Sequence, residues 1–134
     1  MKILPIKFLL AGLFIFALNG MSITGDDDIR DISAAIRAGD AKVLADHFNT
    51  LLDLELPGNE GSYSKAQAEI ILRDFFGKYP PSSFSVDHTG ASNDGSQFAI
   101  GTYKSGGKTF KTYLLLKKKD DRQVIIQLQF DPEK

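Results

Sequence analysis

The pattern of residues predicts an α+β domain: two short N-terminal helices and one longer helix laid against a mainly antiparallel sheet. Three observations carry this reading. Apolar residues recur at three- and four-residue spacing only in the first half of the chain. The stretch from Phe84 to Phe130 alternates with a period of two. Gly, Pro and Asp clusters separate the segments at each change of period.

The elements follow in order. Ile29, Ile32, Ala35 and Ile36 form a helical stripe behind Asp26, Asp27 and Asp28, whose negative charge suits a helix start. Gly39 ends that helix and Asp40 caps the next, where Val43, Leu44 and Phe48 supply the apolar face. From Thr50 the period becomes two, with Leu52, Leu54 and Leu56 opposed to Asp53 and Glu55 until Pro57 and Gly58 break the strand. Ser64 and Gln67 then match a capping box, in which each side chain satisfies an open backbone amide. The helix they open carries Ile70, Ile71, Leu72, Phe75 and Phe76, and stops near Tyr79 because Pro80 and Pro81 cannot donate. Four strands remain. Phe84 to His88 forms the first, and Gln97 to Tyr103 follows a turn at residues 90–95. Lys108 to Lys118 follows the Ser105-Gly106-Gly107 hairpin signal. Val124, Ile126, Leu128 and Phe130 mark the last strand, after a turn at residues 119–122.

The N-terminus has a separate logic. Lys2 and Lys7 precede an unbroken apolar run from Phe8 to Leu18, with small residues at Gly20 and Ser22. This order is that of a secretory signal peptide, its run shorter than the ~20 residues a membrane helix needs. Residues 1–22 are therefore expected to be removed, leaving a domain over 23–134 that is periplasmic or extracellular and has no membrane span. That mature part holds 14 basic and 17 acidic residues, a formal charge of -3, which offers nothing to a nucleic acid. Lys117, Lys118 and Lys119 are the one basic cluster, followed at once by Asp120 and Asp121. They read as a solvated hairpin end or, alternatively, as a contact for an anion. The chain has no cysteine, so disulfides and thiolate metal sites are excluded.

Two motifs go further. Ala38-Gly39-Asp40-Ala41 stands before Leu44 and Phe48, and Tyr63-Ser64-Lys65-Ala66-Gln67-Ala68 opens a helix that closes on Phe75-Phe76 and Pro80. Together they resemble domain of unknown function 4783, a family of small exported bacterial proteins in the nuclear transport factor 2-like, cystatin-related superfamily. The resemblance covers nearly all of 23–134. It implies a strongly curved sheet wrapped around the long helix as a cone, and it brings no established activity.

Strand parity ranks the site residues. If Phe84 and Val86 point inward, so does His88, joined by Phe98, Ile100 and Thr102, by Phe110, Thr112, Leu114 and Leu116, and by the apolar positions of the last strand. A pocket for a small apolar ligand is then expected among His88, Thr102, Thr112, Phe84, Phe98 and Phe75. His47, one turn after Val43, approaches from the helical layer. Two histidines without His-x-His or His-x-x-x-His spacing make no metal centre, and no cofactor is expected. The opposite parity puts Tyr103, Tyr113, Leu115 and Ile125 on the outer face, beside Lys111, Gln127 and Gln129. That face is more apolar than a wet sheet requires, which suggests a homodimer or an envelope protein docked through the sheet.

The leading expectation is a non-enzymatic binding module, using the cone or the outer sheet. The alternative comes from the superfamily, which contains isomerases and dehydratases. It is a cofactor-free enzyme with His88 or His47 as acid/base, aided by Asp46, Tyr63 or Asp87.

Overall fold

The computed structural model describes residues 25–134. The segment assigned to the signal peptide lies outside the described residues. Helix α1 (Gly25–Ala38) and the short α2 (Ala41–Ala45) come first, then strands β1 (Phe48–Leu56) and β2 (Asn59–Ser64) and helix α3 (Lys65–Lys78). Strands β3 (Ser83–Ala91), β4 (Gln97–Ser105), β5 (Lys108–Lys119) and β6 (Arg122–Pro132) complete the chain. They form one curved six-stranded sheet in the order β2-β1-β6-β5-β4-β3. Every neighbouring pair is antiparallel except β1 with β6, which join the first and last strands of the chain in parallel. The α+β cone is the fold.

The local signals act as their chemistry requires. Gly39 has φ +65 and ends α1, where a side chain would be strained and would also press on Pro81. Asp40 accepts from the Val43 amide at 3.1 Å and caps α2. Ser64 accepts from the Gln67 amide, and Gln67 accepts from the Ser64 amide, so α3 starts on a complete capping box. Arg37 ties α1 to the sheet by donating to the Phe84 carbonyl at 3.2 Å.

Packing departs from the expectation in several places. Helix α2 is only five residues long; Ala41, Leu44 and Ala45 are its buried side chains, and Val43 faces solvent. Phe48 belongs to β1. On α3 the buried face is Ala68, Leu72, Phe75 and Phe76, whereas Ile70 is 61% exposed. Strand β2 carries no period-two signal in the sequence, because an edge strand open to water needs no alternation: four of its six residues are exposed and the last two half-buried.

The largest correction concerns β4. Its inward residues are Ala99, Gly101, Tyr103 and Ser105, paired with Leu114, Thr112, Phe110 and Lys108 of β5. Phe98, Ile100 and Thr102 therefore lie on the outer face. Volume decides this: a Cβ on Gly101 would come within 2.4 Å of the Ser85 carbonyl oxygen and 2.9 Å of the Phe84 ring. A small residue is needed under Phe84, so β4 takes the parity that puts Gly101 inward; Tyr103 then fills the core, and Phe98 and Ile100 turn outward.

Candidate functional site: a filled cone and an apolar outer sheet face

Helix α3 sends Phe75 and Phe76 into the cone. The Phe75 ring stacks on Phe130 at 4.9 Å between centroids and meets Phe110 edge-on at 5.3 Å and Tyr103 at 5.7 Å. Tyr103 in turn meets Phe130 at 5.1 Å. These offset and edge-on arrangements are those aromatic quadrupoles favour. The Tyr103 hydroxyl donates to the Tyr79 carbonyl, and burial pushes its pKa up, so the donated proton stays in place. The interior of the cone is occupied by rings. Between α3 and the end of β1 lies a depression of about 350 Å3 lined by Leu56, Ile71, Asp74, Phe75 and Tyr79.

The nominated pocket residues divide between the two faces of the sheet. Phe75, Phe84 and Thr112 are buried and face the cone. His88, Phe98 and Thr102 face the other way, for Phe98 and Thr102 through the inverted parity of β4. For His88 the cause is a bulge in β3, where the register shifts between Val86 and His88 and the extra residue is Asp87. Asp87 accepts from Thr102 Oγ1 at 2.6 Å and from Ser85 Oγ at 3.2 Å, all on the outer face. The exposed His88 ring lies 6.0 Å from that of Phe98. His47 lies beyond the end of α2, half-buried, its carbonyl accepting from the Ile125 amide at 2.7 Å. It does not reach the cone. Strands β6, β5 and β4 separate it from His88 across the sheet.

The acid/base candidates are likewise dispersed. Asp46 is exposed, and its carbonyl accepts from Arg122. Tyr63 sits half-buried on edge strand β2. No side-chain hydrogen bond joins either histidine to a carboxylate among the described residues. The one polar side chain of the nominated pocket that stays inside is Thr112, fully buried, with Oγ1 unpartnered.

On the outer face the interface residues also sort. Tyr113 and Leu115 are there, half-buried. Tyr103 and Ile125 are not: both are fully buried in the core. Tyr103 follows the parity of β4. Ile125 is turned inward by an irregularity between β5 and β6, where Leu116 pairs with Ile125 but Leu115 pairs with Gln127, leaving Ile126 as the extra residue. In their place stand Phe98 and Ile100, which directly oppose Leu115 and Tyr113. These two cross-strand pairs form a continuous apolar patch bordered by Gln127, Gln129, Lys111 and His88. The sequence signal for them was the run of small residues between the large ones, Ala99 and Gly101.

Comparison with known proteins agrees with this architecture. The model of the Domain of unknown function (DUF4783) family matches residues 29–131. A DUF4783 family protein from Bacteroides uniformis superposes with a TM-score of 0.73 at 25% identity, covering 78% of this chain and 96% of that one. One from Bacteroides ovatus does so with 0.73 at 26% identity, covering 78% and 94%. An NTF-2 like protein of unknown function from Silicibacter pomeroyi shares the fold alone, with 0.55 at 12% identity over 78% and 89%. No curated protein matches. With the family model spanning α1 to β6 and solved members sharing the whole cone, this chain belongs to the DUF4783 family, a nuclear transport factor 2-like fold.

Proposed function

We propose that the protein is an exported, non-enzymatic binding module that works through the outer face of its sheet, with a second copy of the chain as its partner. The observation that carries this is the patch of Phe98, Ile100, Tyr113 and Leu115 on the face opposite the core. A cone packed with rings supports a surface role over an internal ligand, and separated histidines give an enzyme no assembled acid/base pair. Export rests on the basic and apolar order of residues 1–22.

Area is sufficient for self-association. Strands ~4.8 Å apart and ~3.3 Å per residue give the four strands β3 to β6, of 9, 9, 12 and 11 residues, an outer face of about 650 Å2. Two such faces bury about 1,300 Å2, above the ~1,000 Å2 that a specific interface needs. The partner is a second copy because the apolar centre is flanked by residues of both signs: Lys111 on β5, and Asp53 and Glu55 on β1. A two-fold stacking can set one flank against the other.

Sedimentation of the purified protein and of Tyr113→Asp tests this. The wild type is expected to sediment as a dimer, and the variant as a folded monomer with an unchanged circular dichroism spectrum. A wild type that sediments as a monomer removes the reading. So does a variant that remains dimeric.

A further inference from the structure

A second feature of the outer face lies toward the β5–β6 turn. Between Phe48, which pairs with Ile125, and Asp53, which pairs with Gln127, strand β1 has four residues where β6 has one, Ile126. Strand β1 therefore bows away from β6, at the same place where β6 also slips against β5. The gap is an open groove of about 560 Å3, within the ~300–1,000 Å3 range of small-molecule sites. Its floor is apolar. Leu51, lifted by the bow, is 57% exposed, Ile126 is half-buried, and Val124 is 8% exposed although it does not belong to the core cluster.

The two ends of the groove differ in charge. Lys117, Lys118 and Lys119 border one end, and Asp53, held by Ser62 Oγ at 3.0 Å, borders the other. Lys117 pairs with Val124, and Asp53 with Gln127, so three residues of β6, or ~10 Å, separate them. Lys119 Nζ donates to Asn49 Oδ1 at 3.1 Å, which fixes its position on the rim. Asp94 stands near enough to Lys117 to feel its charge, and Asp120 and Asp121 occupy the adjoining turn. None of these acids forms an ion pair with the three lysines among the described residues.

The geometry points to a small-ligand site for an amphipathic anion, its alkyl chain on Leu51, Val124 and Ile126 and its carboxylate or phosphate head among Lys117, Lys118 and Lys119. The charge polarity fixes the orientation. An anionic head at the other end meets Asp53, so the chain lies along β6 from the lysines toward Gln127. This site goes beyond self-association and does not rest on it.

Isothermal titration with decanoate, decyl phosphate and decanol, on the wild type and on Tyr113→Asp, tests the inference. One anion per chain is expected to bind, decanol at least tenfold more weakly, and affinity to fall with added salt. Each methylene removed from the alkyl chain should weaken binding about fourfold. The stronger of the two anions identifies the head group. Lys117→Gln with Lys119→Gln, and separately Leu51→Asp, alter exposed side chains and so leave folding intact, and each should weaken binding at least tenfold. Saturable binding in either background, lost in those variants, supports the site. Absence of saturable binding in both backgrounds, or binding indifferent to the lysine and Leu51 changes, overturns it, whatever the sedimentation result for Tyr113→Asp.

Discussion

At the scale of single residues, Thr112 separates a structural from a functional interior. Its hydroxyl is fully buried without a hydrogen-bond partner, opposite Gly101 on one side and Phe130 on the other. An unpaired buried hydroxyl costs stability, and an apolar group of the same shape removes that cost. Thr112→Val is therefore expected to stabilise the fold by about 1 kcal/mol, read as a higher urea midpoint with an unchanged slope. A destabilised variant would mean the hydroxyl is engaged. Position 112 was legible in the sequence because β5 keeps strict alternation from Phe110 to Leu116. Positions 98, 100 and 102 were not. Hydrophobicity alone ranks Phe98 and Ile100 above Ala99 and Gly101 for burial, but the space beneath Phe84 leaves no room for a Cβ at position 101, and that one site sets the parity of the strand. Gly90 shows the complementary case on the outer face: its missing side chain leaves room for the Phe98 ring, which a Cβ would approach to 2.3 Å.

At the scale of elements, the helix ends were legible and the strand irregularities were not, for a common physical reason. A cap is a local exchange between residues three apart, so Asp40 and Ser64 announce themselves in sequence. A bulge is set by how two strands pair, and Asp87 suits an outward position of an unbroken alternation just as Ile126 suits an inward one, so neither marks itself as the extra residue. That is why His88 and Ile125 changed faces while Phe84 and Phe130 did not. Helix α3 gives the measurable consequence. Its capping box satisfies amides at the junction of β2 and the helix that fills the cone. Ser64→Ala is expected to cost ~1 kcal/mol in thermal or urea unfolding. Gln67→Ala should cost less, since it removes the reciprocal bond but leaves the Ser64 oxygen on the Gln67 amide. Equal loss from both would show that the two halves of the box act as one unit.

At the scale of the whole molecule, the core and the proposed self-association surface lie on opposite faces of one sheet, and a single substitution tests whether they are independent. Phe75 is 6% exposed and touches rings from every layer around it: Phe76 and Tyr79 on the helical side, Tyr103, Phe110 and Phe130 from β4, β5 and β6. Removing its ring leaves a cavity that neighbours anchored on three strands cannot collapse to fill. Phe75→Ala is thus expected to cost ~3–5 kcal/mol in urea unfolding, with the transition still two-state. The outer patch lies across the sheet from it, so a folded Phe75→Ala protein should sediment as the wild type does. Loss of association together with stability would mean that the patch depends on the core for its shape. A cost below about 1 kcal/mol would mean that the rings border open space rather than fill it, and the cone would regain its place as the site of an apolar ligand.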